Sequence, residues 1–254
     1  MNREIAELKE LSGKYGTDAR KLLDENPSLR NLCVFSGRHE NLLEWADFEQ
    51  GKKLLQAGAG YGMLTGLFLK KGLFVTVLDQ SQDELDFVTG RFPDSRFDTV
   101  CGGLQDAAEK GPFDYIVFDG SLPENCETAI AAAKDMLSSS GVLIVSADNA
   151  FGIRAFAGAE AGGTAFGKDR LEKALNGSGD GELVRYYPEP GRMLPSAVYS
   201  DSFLPSAGEL SGMVTAYDYP KYTVIDVGKK YDSVIRDGMF PQFADSFLFF
   251  WSRK

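Results

Sequence analysis

Three glycines at every second position, Gly58, Gly60 and Gly62, lie in the stretch KKLLQAGAGYGMLTGLFLKKG, directly after one apolar run and directly before another. Glycines so placed permit a tight strand-to-helix turn and let a ligand approach the backbone without meeting Cβ atoms. The helix that follows offers unpaired N–H groups to a charged part of that ligand. Further along, Asp79 and Gln80 close the run LFVTVLDQ. A carboxylate at that place could accept both hydroxyls of a ribose, or could instead cap the next helix. Taken together, the glycines and Asp79 predict a nucleoside with a charged tail. A dinucleotide fingerprint needs G-x-G-x-x-G, and Met63 stands where its last glycine would be. No G-K-[ST] follows, which excludes a Walker loop.

The elements that must hold these residues can be read from periodicity. KKLLQA, LFVTVLD, RFDTVCG, FDYIVFDG and GVLIVSAD read as five strands. They alternate with helices in MLTGLFLKKG, SQDELDFVTGRF and ENCETAIAAAKDML. Runs of Val, Ile and Leu in such alternation predict a parallel sheet covered on both faces. Ser81 and Glu84 have capping-box spacing. Before this region, residues 1–50 read as helical: REIAELKELSGKYG, ARKLLDENPSLRNL and HENLLEWADF. After it, GAEAGGTAFG reads as a loop, KDRLEKALNG as a helix, GELVRYY as a sixth strand and DSFLFFWSRK as a final strand. The segment from Tyr186 to Phe243 is rich in tyrosine and proline, which predicts turns and aromatic contacts.

The chain of 254 residues is 43% apolar, enough for a substantial core. No window approaches the roughly 18–20 consecutive apolar residues that a membrane span requires. The start, MNREIAELKELSGKYG, lacks an apolar signal-peptide core, so a cytoplasmic location is expected. A formal charge of −10 opposes a polyanionic partner and disfavours nucleic acid. The single histidine, His39, excludes mechanisms needing several imidazoles and is expected to be a solvated or capping residue. Cys33, Cys101 and Cys126 form no metal spacing and read as small buried hydrophobes.

QAGAGYG resembles the first motif, acid-x-G-x-G-x-G, of the class I S-adenosylmethionine-dependent methyltransferases, with Gln56 replacing the acid. The resemblance implies a doubly wound, Rossmann-like α/β fold with a seven-stranded sheet, mostly parallel with an antiparallel C-terminal strand. It implies a methyltransferase domain over 51–254, carrying an aromatic, proline-rich insertion or cover at 188–243, behind a helical extension at 1–50. S-adenosylmethionine would be held by Gln56, Gly58, Gly60, Gly62, Asp79, Gln80, Leu104 and Asp119. Gln105 and Asp106 are further candidates at the adenine edge. Glutamine can accept a hydrogen bond but carries no charge, so Gln56 leaves the grip on the methionine ammonium open.

The segments FSGRHENLLEWADF, ADNAFGIRAFAGA, YYPEPGRMLPSAVYSDSFLP and DGMFPQFADSFL resemble a bacterial branch of these enzymes associated with cell-surface polysaccharide biosynthesis. That likeness implies methyl transfer to a small-molecule or saccharide acceptor, with O-methylation expected. The alternative is a non-catalytic module that binds the nucleoside in a glycan-assembly pathway. DGSLP after the fourth strand is unlike the N-P-P-[YF] of the family's enzymes acting on amino groups of bases and glutamine. Asp119, with Asp148 and Asn149 ending the fifth strand, resembles the metal-dependent catechol-type enzymes and makes these three the catalytic candidates. Magnesium is possible on that comparison, but a turn-and-cap role for Asp148–Asn149 is favoured over it. Arg38 and Tyr61 are weaker candidates on the acceptor side, with tyrosines between 186 and 231 lining a groove or covering the sheet edge. The sequence leaves the oligomeric state open.

Overall fold

The structure, a computed structural model, describes residues 3–159, 164–212 and 225–254. Tyr217, Tyr219, Tyr222 and part of the expected 158–167 loop lie outside the described residues.

Among the described residues eight strands form the sheet: β1 (Lys53–Ala57), β2 (Phe74–Asp79), β3 (Asp98–Cys101), β4 (Phe113–Asp119), β5 (Leu137–Asp148), β6 (Gly181–Glu189), β7 (Ala197–Ser200) and β8 (Ser246–Arg253). Their order is β3-β2-β1-β4-β5-β8-β6-β7. The helices are α1 (Arg3–Tyr15), α2 (Ala19–Glu25), α3 (Leu29–Phe35), α4 (Thr65–Lys70), α5 (Gln82–Arg91), α6 (Cys126–Asp135), α7 (Ile153–Phe156), α8 (Lys168–Asn176), α9 (Val227–Arg236) and α10 (Phe240–Phe243). This is the α/β fold the sequence predicts, with one strand more: β7 arises in the aromatic, proline-rich segment and pairs antiparallel with β6. The chain divides into two compact units, Met1–Phe118 with Ala132–Val142, and Asp119–Ala131 with Leu143–Lys254.

In the first unit β1 pairs parallel with β2 on one side and β4 on the other, and β2 pairs parallel with β3. Leu54, Leu55, Val75, Val77, Ile116 and Val117 are buried, as continuous apolar runs in a parallel sheet require. β3, by contrast, is a short edge strand with mostly exposed side chains, which leaves Cys101 exposed and not buried as expected. Lys70 lies in the last turn of α4 and Gly72 beyond it has φ 73°, the left-handed cap the sequence signals. The N-terminal helices pack as amphipathic elements: Ile5 and Leu8 of α1 meet Val34 and Phe87 in one buried cluster.

HENLLEWADF does not form the expected α-helix. A 3-10 helix spans Arg38–Leu42 after the left-handed Gly37. The Trp45 indole then donates to the Leu42 carbonyl at 3.0 Å, while the Ala46 amide donates to Leu43. The carbonyl that would continue an α-helix is thereby taken. His39 lies in this turn fully buried, which overturns the solvated half of the solvated-or-capping role expected of it. In the second unit β8 runs antiparallel to β6, from Gly181 opposite Arg253 to Tyr186 opposite Leu248. Tyr187, Tyr199 and Tyr231 pack edgewise or tilted on Phe240, so these described tyrosines fill core.

Candidate functional site

In the first unit the strand order 3-2-1-4 changes direction between β1 and β4, the topological switch point. Open α/β sheets bind ligands there, outside the carboxyl ends of the strands. The turn after β1 occupies this place. Gly58, Gly60, Tyr61 and Gly62 have φ of 100°, 50°, 52° and 75°. Glycine adopts such values without steric cost, which explains the alternating glycines.

The turn is braced from within. Gln56, 4% exposed, donates through Nε2 to the carbonyls of Gly58 (3.1 Å) and Ala59 (3.0 Å), and its Oε1 accepts from the Thr65 hydroxyl at 2.8 Å. Where the related motif has an acid, this chain has an amide whose donor and acceptor ends both hold the loop. Asp79 ends β2 and turns toward the same loop: Oδ2 accepts from the Ala59 amide at 2.9 Å and Oδ1 from the Ser81 amide at 2.8 Å. Each oxygen keeps a lone pair for a further donor. Asp79 does not cap the helix that follows; Ser81 caps α5, accepting from the Glu84 amide at 3.3 Å.

Gln80 is exposed, its carbonyl accepting from the Cys101 thiol at 3.6 Å. After β3, Gly103 donates to Asp106 at 2.7 Å, and half-buried Leu104 opens a 3-10 helix, Leu104–Lys110. Gln105 and Asp106 are exposed. Gln56, Gly58, Gly60, Gly62, Asp79, Gln80 and Leu104 therefore sit at or just beyond the carboxyl ends of β1, β2 and β3.

Two further acids border this turn. Burial pushes the Glu84 carboxyl up to about 7, helped by the Asp79 and Glu4 carboxylates. Burial likewise pushes the Tyr61 hydroxyl up to about 12, with Glu4 and Glu84 adding to it. Glu84 was visible in the sequence only as a capping residue, and Glu4 carried no signal because its approach depends on how α1 packs.

The second unit holds the three catalytic candidates, Asp119, Asp148 and Asn149. Asp119 and Asp148 end β4 and β5, and the buried Arg192 joins them: Nη1 lies 3.2 Å from Asp119 Oδ1 and Nε 3.3 Å from Asp148 Oδ1. Burial alone would lower the Arg192 pKa, but the two carboxylates raise it above its ordinary value. The guanidinium lies over Gly120, where a Cβ would fall 2.2 Å from Cζ. Asn149 is 3% exposed; its Nδ2 donates to the carbonyls of Gln242 (2.8 Å) and Ala244 (2.7 Å), and its Oδ1 accepts from the Phe151 amide (2.9 Å). These residues do not fit magnesium, which needs carboxylate oxygens open to an octahedral ion. A protein cation stands between the carboxylates, and the amide is committed to the chain turn. Among the described residues no cluster of three His, Cys, Asp or Glu could hold a metal ion. Arg38 is exposed.

Nearby in the same unit, Tyr231 donates to Asp245 and stands 3.0 Å from Glu189 Oε2, while the Asp245 amide donates to Glu189 Oε1 at 3.1 Å. Burial drives the Glu189 carboxyl well above its usual range and the Asp245 carboxyl up to about 6. Arg192, Glu189 and Asp245 gave no sequence signal, since their partners lie far away along the chain.

Neither a protein-family model nor a curated protein matches the sequence. Solved structures do match. A SAM-dependent methyltransferase from Archaeoglobus fulgidus has a TM-score of 0.56 at 12% identity, covering 93% of this chain and 100% of its own. The N-methyltransferase NodS from Bradyrhizobium japonicum, solved with S-adenosyl-L-homocysteine, has a TM-score of 0.51 at 17% identity, covering 97% of each chain. The [4+2]-cyclase SpnF has a TM-score of 0.50 at 16% identity, covering 86% of this chain and 81% of its own. The fold is that of the class I methyltransferases. A fold does not fix a reaction, as the cyclase illustrates.

Proposed function

We propose that the protein is an S-adenosylmethionine-dependent methyltransferase acting on a small-molecule or saccharide hydroxyl. The observation that carries this reading is the Asp79 carboxylate, hydrogen-bonded to the amide of Ala59 inside the left-handed glycine turn at the switch point. In this reading the ribose hydroxyls donate to the remaining lone pairs of Asp79. The amino-acid tail lies against the bare backbone of Gly58, Gly60 and Gly62, and Gln80 and Leu104 border the adenine. S-adenosylmethionine supplies an activated methyl group on a sulfonium. The chain's task is to align an acceptor in line with it and to accept a proton from a hydroxyl acceptor. Gln56 holds the shape of the turn from behind.

The methyltransferase named among the structural neighbours, with its bound S-adenosyl-L-homocysteine, supports the cofactor class. A saccharide acceptor is supported by the flanking segments that resemble the polysaccharide-associated branch. Isothermal titration with S-adenosylmethionine and S-adenosylhomocysteine tests the cofactor: binding at micromolar concentration is expected, and silence with both at millimolar concentration rejects it. Transfer of labelled methyl into a panel of sugars and phenols, with and without a chelator, tests the reaction. A second reading, a nucleoside-binding module without transfer, is favoured by the ion pairs that tie both Asp119 and Asp148 to Arg192. It predicts cofactor binding with no labelled product from any acceptor.

A further inference from the structure

Tyr61 is the one non-glycine residue with a left-handed backbone among the described residues, at φ 52° and ψ 19°. A side chain disfavours this conformation through the contact of Cβ with the following carbonyl oxygen. Yet Tyr61 lies between Gly60 and Gly62, in the turn against which the reading above places the cofactor. Something must hold it there.

Arg91, the last residue of α5, reaches back to the turn. Its Nη1 donates to the Tyr61 carbonyl at 2.5 Å and its Nη2 to the Val34 carbonyl at 2.9 Å, in the last turn of α3. The guanidinium lies 5.5 Å from the ring centres of Phe35 and Phe92 and 5.9 Å from that of Phe87. A planar fork fixed by two carbonyls and three rings has little freedom to follow a moving loop. Burial lowers the Arg91 pKa to about 10, still charged at neutral pH. Next to this contact, a Cβ on Gly62 would meet Phe92 at 3.1 Å, Val88 at 3.4 Å and Arg91 at 3.5 Å, so a side chain at position 62 would press on the same groups that hold the turn. On the other side the Tyr61 ring packs edgewise on Phe87, centroids 6.2 Å apart, against the cluster of Ile5, Leu8 and Val34.

We infer that Arg91 is a positioning residue for the cofactor: by holding the Tyr61 carbonyl it keeps that residue left-handed, and so presets the glycine turn in its binding shape before any ligand arrives. The inference rests on the cofactor reading above. Arg91 touches no cofactor in this account and acts only through the Tyr61 backbone. Without the fork, Tyr61 relaxes toward ordinary backbone angles, and binding must restore the strained state at the expense of affinity.

The test is a cycle of full-length variants titrated with S-adenosylhomocysteine, each with its melting temperature recorded. Arg91→Lys keeps the charge and fills most of the volume but cannot span both carbonyls. It is expected to weaken binding about tenfold, the equivalent of one left-handed non-glycine residue. Adding Tyr61→Gly, which makes the conformation free of steric cost, is expected to restore affinity to within about threefold of the parent. Adding Tyr61→Ala, which removes the same ring but keeps a Cβ, is expected to restore nothing. The melting temperature should fall in both double variants, so recovery of affinity alone separates positioning from general stabilisation. Arg91→Gln serves as a harsher version if it folds. Binding by the parent with no loss in Arg91→Lys, or equal recovery by glycine and alanine, overturns the inference and leaves the cofactor reading standing. No binding by the parent at millimolar concentration overturns both.

Discussion

Asp79 carries two demands at once, as a fold residue accepting from Ala59 and Ser81 and as the proposed seat of a ribose. Asp79→Ala is therefore expected to weaken S-adenosylhomocysteine binding by about a hundredfold or more and to lower stability by about 1–3 kcal/mol, because two amides lose their acceptor. Calorimetric titration and urea unfolding read the two effects separately. Gln56 yields a less intuitive expectation. Replacing it with the acid of the related motif, Gln56→Glu, sets a carboxylate against the carbonyls of Gly58 and Ala59, to which the amide now donates. Stability should drop by about 1–3 kcal/mol with no gain in affinity; tighter binding would show that this loop does not depend on the amide. Glu84 gives a pH signature. Its folded pKa of about 7 lies above the ordinary value of 4.5, so between these values the folded state binds more protons than the unfolded one. Stability then falls as pH rises from 4.5 to about 7. The raised carboxyls of Asp245 and Glu189 act in the same direction, so Glu84→Gln should flatten the slope only in part. An unchanged slope in that variant would contradict the assignment.

Elements were legible where backbone chemistry writes itself into residue type. The glycines of the turn and the cap at Gly72 each mark a conformation few other residues accept, and they and the strand end at Asp79 fall where the sequence places them. The capping Ser81 belongs to the same group. The third N-terminal helix failed because a 3.6-residue pattern cannot reveal that an indole will capture the Leu42 carbonyl. The buried ties were hidden for a different reason: they join side chains to distant partners, as Arg192 reaches Asp119 across 73 residues and Arg91 reaches Val34 across 57. No local spacing encodes them. The Arg192 tie joins the start of the β6–β7 connection to the ends of β4 and β5. Removing it by Arg192→Ala leaves two half-compensated carboxylates, with an expected loss of about 3–5 kcal/mol. Urea unfolding measures this, and an unaltered midpoint would show the ion pairs to be dispensable.

At the scale of the whole molecule, the formal charge of −10 opposes the long-range approach of a polyanion. No helix among the described residues is long and apolar enough to cross a membrane. A ligand bound only by the folded state stabilises the entire chain. S-adenosylhomocysteine at a hundredfold excess over its dissociation constant should add about 2.7 kcal/mol to the parent's stability. At the same concentration Asp79→Ala should gain much less. Thermal melts of both proteins, with and without ligand, make that comparison.

The measurement that reaches the central claim most directly is a crystal structure of the chain grown with S-adenosylhomocysteine. The account predicts both ribose hydroxyls within hydrogen-bonding distance of the Asp79 carboxylate and the amino-acid tail against Gly58, Gly60 and Gly62, with Tyr61 still left-handed. A ligand seated elsewhere, or a ribose turned away from Asp79, would contradict it.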